Sequence, residues 1–143
     1  MTTPPRTREQ GSITVWMLGL SILLLSFGGL SIDFWRALAL QRQLAAVADS
    51  AAISAAAGID EAQYRASGQV TVDPSRAVDL GTAYVSTRDV ELAYLHIDTS
   101  ANGAEVSVEV AGDLELGLMG LFVPGDDPLV IRARATATPV RLP

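Results

Sequence analysis

EQGSITVWMLGLSILLLSFGGLSIDFW, residues 9–35, decides the fold. It admits three fates: a permanent membrane anchor, a leader cut near Gly11 and then reused as a structural helix, or a signal peptide that is discarded. From position 11 to position 32 there are 22 consecutive residues without a charge. At 1.5 Å per residue, a helix of that length reaches about 33 Å, enough to cross the hydrocarbon of a bilayer. Eleven of these residues are Leu, Ile, Val or Phe. Each favours insertion by roughly 0.3–0.6 kcal/mol at mid-membrane, or about 3–7 kcal/mol together, before glycine and serine subtract from it.

The flanks set an expected orientation. Arg6 and Arg8 precede the run, so the positive-inside rule puts residues 1–11 in the cytoplasm, residues 12–32 across the membrane and the remainder outside. Trp35 suits the membrane interface. The signal-peptide reading rests on "ALA" at 37–39, which imitates a small-residue cleavage site. Against it stand an apolar region longer than the usual 7–15 residues and the intervening Asp33, Trp35 and Arg36. Within the span, Ser12, Gly19, Ser26 and Asp33 recur every seven residues, a narrow stripe suited to close helix packing in an assembly.

The helix is expected to continue past the membrane. Residues 33–58 contain no proline and no glycine before Gly58, and they are rich in Ala, Leu, Gln and Arg, the strong helix formers. Leu38, Leu44, Val47, Ala51 and Ala55 fall on one face, and Gly58 is a natural C-terminal cap. The alanine-rich end, 45–58, offers a surface on which a sheet or neighbouring helices can approach the backbone.

Residues 59–143 read as a small α+β domain. After the polar connection DEAQYRASGQ, Asp73 and Pro74 supply an N-cap and a first-turn proline for a second helix over 74–87, which Gly81 weakens slightly. Strands are expected over 90–99 and 104–112, joined by SANG with Asn102 and Gly103 in a tight turn. Val106, Val108 and Val110 would point inward, with Glu105, Ser107 and Glu109 in water. LELGLMGLFV (114–123) follows neither period, VPGDDP (123–128) is a turn, and a last strand over 129–138 puts Arg132 and Arg134 opposite Ile131, Ala133 and Ala135. The expected fold is therefore pilin-like: a long transmembrane helix running into a domain with a second helix and a three- or four-stranded antiparallel sheet.

The chemical inventory excludes most activities. There is no cysteine, hence no disulfide, thiolate metal site or cysteine nucleophile. All ten basic residues are arginine, and from Asp33 onward 15 acids face 8 arginines, an acidic balance that would repel a phosphate backbone and argues against nucleic acid as a partner. His96, the single histidine, lies in a strand and reads as a surface or packing residue, and Asp126 and Asp127 lack the alternating oxygen ligands of a calcium loop. No phosphate loop, dinucleotide fingerprint or HExxH is present. The expectation is a non-enzyme without metal or cofactor, acting through helix packing and protein contacts. The alternative is an anchored module that binds a small ligand or an envelope polymer on the exposed face of the hairpin.

EQGSITVWM resembles the ERGSVTVEF type of start of TadE-like proteins, and LSIDFWRALALQRQLAAVADSAAISAAAG is similar to the D…R…LQ.AADAAALAAA pattern of TadE/TadG-like Flp pilus-assembly proteins. Gly11, Asp33, Arg42, Leu44, Asp49, Ala51 and Ala52 all fall where that pattern expects them. The resemblance implies a bitopic bacterial envelope protein of the tight-adherence pilus machinery: a minor pilin, a pseudopilin or an accessory, partnered by the lipid bilayer, by other pilus-assembly proteins and by further copies of itself. It also implies a peptidase cut between Gly11 and Ser12 and a glutamate five residues after the cut. Trp16 stands there instead, which favours an uncut anchor nearer the TadG-like side.

Overall fold

The computed structural model describes residues 10–117, 120 and 127–140. Among them are three helices, α1 (Gln10–Ala56), α2 (Glu61–Ser67) and α3 (Pro74–Ser86), and three strands, β1 (Tyr94–Thr99), β2 (Val106–Leu114) and β3 (Leu129–Ala137). The chain divides into two units, one of Met1–Trp35 with Leu116–Asp126, the other of Arg36–Glu115 with Asp127–Pro143. The expected α+β class with a long N-terminal helix is what the chain adopts. The expectations for 118–119 and 121–126, Asp126 among them, lie outside the described residues, as do Arg6 and Arg8.

In the second unit the sheet is antiparallel in the order β1-β2-β3. Its inner face is the row Val106, Val108 and Val110, each fully buried on the central strand and flanked by Leu95 and Ile97 of β1 and Ile131, Ala133 and Ala135 of β3. Against it packs a stripe of α1 residues: Leu44, Val47, Ala48, Ala51, Ala52, Ala55 and Ala56 are all buried. Their alternating spacing of three and one is the apolar pattern of a 3.6-residue helix. Near its start the stripe runs through Leu40, which packs on the core, while Leu38 of the expected face does not join that cluster. Leu40 lies one turn before Leu44, and both reach Gly112 of β2, whose hypothetical Cβ would sit 3.4–3.5 Å from their methyl groups. Alanine is what lets the valine row come close to the helix backbone.

Gly58 does not act as the left-handed cap expected of it; among the described residues only Gly68 and Gly103 have positive φ. It is needed for space. A Cβ at Gly58 would lie 3.0–3.1 Å from backbone atoms of Ala77, Ala55 and Arg76, and its carbonyl accepts the Asp73 N–H at 2.8 Å. Gly81 serves similarly: α3 covers the inner face of β1 there, with the Ile97 side chain occupying the room a Cβ would take.

The polar connection after α1 is not a loop throughout but folds into α2. Asp60 Oδ1 accepts from the N–H groups of Ala62 and Gln63 at 2.9 and 3.0 Å, Gly68 closes the other end with φ +70°, and no α2 residue is buried. The excursion is pinched shut by an antiparallel bridge between Ile59 and Val72. The β1–β2 connection also differs from the tight turn expected. Asn102 has no positive φ, so a two-residue type I′ turn is excluded; instead Ser100 and Glu105 bracket a four-residue loop in which Gly103 N–H reaches Ser100 O at 2.8 Å and Gly103 takes φ +65°.

The α3 cap carries a pH signature. Asp73 Oδ1 accepts from the Ser75 hydroxyl at 2.6 Å and from the Ser75 and Arg76 N–H groups at 2.8 and 3.2 Å. The Ser75 hydroxyl first, then these backbone groups, hold its carboxyl below the ordinary carboxylate range. Because the folded pKa is the lower one, the stabilisation is complete above the unfolded value of about 3.9 and is lost as pH falls from there through the folded value. Asp73→Asn keeps an acceptor but not the titration. The stability advantage of wild type over that variant, measured by denaturant unfolding across an acid series, is expected to be constant above about pH 5 and to shrink below about pH 4.

Candidate assembly surfaces

In the first unit, every described Leu, Ile, Val, Phe, Met and Trp side chain from Ile13 to Trp35 is exposed, including Trp16 at 74% and Leu25 at 72%. Such a face has no place in water, where apolar exposure costs roughly 25 cal/mol per Å². The helix meets the length and composition needed to cross a membrane, and its most apolar window is only 6% buried, unlike the core helix of a soluble protein. Serine fits this environment because its hydroxyl can bond back into the helix: Ser21, Ser26 and Ser31 donate to the carbonyls of Met17, Ile22 and Phe27 at 2.8–2.9 Å.

The expected stripe is uneven along its length. Gly19 is open, with nothing within 4 Å of a Cβ placed on it; Ser26 is half-buried; Asp33 is 4% exposed. Gly29, absent from the heptad reading, is buried on the same side, since 26, 29 and 33 are one turn apart. Asp33 Oδ1 accepts the Gly117 N–H at 3.1 Å, an interaction across 84 positions of sequence, and a side chain at Gly117 would come within 2.7 Å of that oxygen. The acid at the end of the apolar run is thus a fixed acceptor rather than a solvated charge. Gly11 and Ser12, the candidate cleavage junction, lie in the first turn of α1, and their side chains are outside the description.

The other pattern positions sort by burial. Leu44, Ala51 and Ala52 are fully buried beneath the sheet, whereas Arg42 and Asp49 are exposed on the opposite side of α1. The first three hold the helix to its own domain; the last two are exposed.

Among the described residues no helix covers the outer face of the sheet. It carries Tyr94, His96 and Asp98 from β1, Ser107 and Glu109 from β2, and Arg132, Arg134 and Thr136 from β3. His96 stacks on Tyr94 with ring centroids 6.2 Å apart, in keeping with a surface role. Arg134 Nε donates to Ser107 Oγ at 2.8 Å, and Arg132 lies 4.0 Å from Glu109, which leaves Ser107 and Glu109 half-buried rather than fully in water. Among the described residues no group of three or more His, Asp or Glu is placed to hold a metal ion.

Comparison with curated proteins and with solved structures returns no match. Residues 11–58 match the family model described as "Putative Flp pilus-assembly TadE/G-like". The matched segment runs from the start of the apolar helix to the glycine that ends its buried alanine face, so it contains both the membrane-compatible length and the surface that holds the sheet. Over this N-terminal third the chain is similar to the TadE/G-like proteins of Flp pilus assembly.

Proposed function

We propose that this chain is a non-catalytic, single-pass component of the Flp pilus machinery, retained in the cytoplasmic membrane with its N-terminus inside and its acidic α+β domain outside. One observation carries the reading: α1 is unbroken from a stretch whose large apolar side chains are all exposed to a stretch in which Ala48, Ala51, Ala52, Ala55 and Ala56 are buried. A single helix thereby joins anchor and domain. Retention is favoured over signal-peptide removal because residues 37–39 lie inside that helix rather than in an extended segment open to a peptidase. It is favoured over a pilin-type cut because Trp16 replaces the glutamate expected five residues after Gly11. The role is that of an assembly accessory or pseudopilin working through protein contacts at Arg42, Asp49 and the outer sheet face, while Gly19, the open member of the stripe, faces other helices.

Intact-mass analysis of the chain extracted from envelopes of its native host tests this. The expected product begins at residue 1 or 2 and requires detergent for release. A product beginning at Ser12 would replace the anchor with a processed pilin, and one beginning at Leu40 would remove the membrane role altogether.

A further inference from the structure

The two edges of the sheet carry opposite charge and matching hydrogen-bonding parity. Ser100 N–H bonds Glu105 C=O at 2.9 Å beside the pair Thr99↔Val106. By the alternation of an antiparallel ladder, Tyr94, His96 and Asp98 turn their backbone groups toward β2, and Leu95, Ile97 and Thr99 turn theirs outward. The same alternation carried across β2 leaves the N–H and C=O groups of Val130, Arg132, Arg134 and Thr136 on the free side of β3. Among the described residues one of these outward groups has a partner, Thr99 N–H, which Asp98 Oδ1 accepts at 2.9 Å. Helix α3 packs on the inner face of β1, where Gly81 meets the Ile97 side chain.

We infer that the domain self-associates head to tail, β3 of one copy adding in parallel to β1 of the next and extending one continuous sheet. β1 and β3 run in the same direction within a copy, so translation of the domain along the sheet brings them side by side in parallel. One register satisfies every requirement at once. With Arg132 beside His96 of the next copy, Arg134 lies beside Asp98 and Val130 beside Tyr94, all on the outer face. Ile131 and Ala133 then continue into Leu95 and Ile97 on the inner face. Arg132 N–H meets Leu95 C=O, Ile97 N–H meets Arg132 C=O and Arg134 N–H meets Ile97 C=O, a parallel ladder using only outward groups. The symmetrical alternative, β3 against β3, sets Arg132 and Arg134 against the same two arginines, and like charges directly opposite are unfavourable. A heterologous contact of this kind leaves a free edge at each end and propagates instead of closing as a dimer. The inference rests on the sheet alone and is independent of the pilus reading.

The chain has no cysteine, so His96→Cys/Arg132→Cys in the full-length protein in vesicles supplies the test. Within one copy the two positions are two strand spacings apart and offset by two residues along the strands, about 12 Å, too far for a disulfide, so every cross-link is between copies. Mild oxidation is expected to give a ladder of dimers, trimers and higher species from the double variant. Adding Arg134→Glu is expected to reduce that ladder by roughly five- to twentyfold, and adding Asp98→Arg to that background to restore it. Circular dichroism establishes that each variant retains its helix and sheet, and the sedimentation of unmodified protein against Arg134→Glu alone provides a readout without cysteines. A folded double variant that yields no ladder overturns the inference. So does a ladder indifferent to the charge exchange, or a dimer formed as readily by Arg132→Cys alone, which would mean β3–β3 pairing.

Discussion

Leu23→Arg is expected to shift the protein from the carbonate-resistant membrane fraction to the extractable one. Leu23 lies near the middle of the uncharged run, and its side chain is half exposed to whatever surrounds the helix. Arginine at the centre of a span costs roughly 2.5–3.5 kcal/mol, and the lost leucine adds about 0.3–0.6. The change of about 3–4 kcal/mol is comparable with the entire favourable insertion of the run, about 3–7 kcal/mol before its glycines and serines are counted. Among the described residues no second helix of the required length and apolarity shares the load. Leu23→Ala removes only the small leucine contribution and is expected to leave the fractionation unchanged. Equal retention of the arginine variant would mean that this helix is held by protein partners and not by lipid.

Leu44→Ala is expected to destabilise the second unit by about 3–5 kcal/mol, read as a loss of the cooperative thermal transition in detergent. Leu44 is fully buried and is among the largest fully buried side chains, its methyl groups lying against Gly112 of the central strand. Gly112 has no side chain to move into the space, so the cavity collapses poorly and the cost belongs at the upper end of the range for such truncations. Asp49→Ala and Arg42→Ala, at exposed positions of the same helix and the same family pattern, are expected to change stability by less than about 0.5 kcal/mol. If those two variants lose assembly in the host while keeping their melting temperature, the pattern divides into residues that fold the domain and residues that present it.

How much was legible before the structure varies by element. α1 was readable nearly to its ends because its two halves obey separate strong rules, uninterrupted apolarity in the first and uniform helix propensity in the second. The hairpin was readable from Val106, Val108 and Val110, whose period of two leaves one face to bury. α2 was missed because its seven residues bury nothing and so leave no apolar period, although Asp60 and Gly68 stood where a cap at each end would be. Gly58 was found for the wrong reason: a glycine at a helix end suggests a left-handed cap, whereas the close approach of Ala77 and Arg76 is invisible until α3 is folded back. On the candidate surface, Asp33 was named from spacing, but its partner Gly117 carries no side-chain signal.

The sequence by itself determined that a helix long enough to cross a bilayer continues into an alanine-faced segment and is followed by an antiparallel α+β domain, because period, propensity and charge are local properties of the chain. Tertiary structure decided which phase of α1 is buried, why glycine is required at 58 and 81, which carboxylate is fixed by a distant backbone N–H, and that the two free edges of the sheet differ in charge. These depend on which backbones meet and how closely, a matter of packing distance that no run of residues encodes on its own.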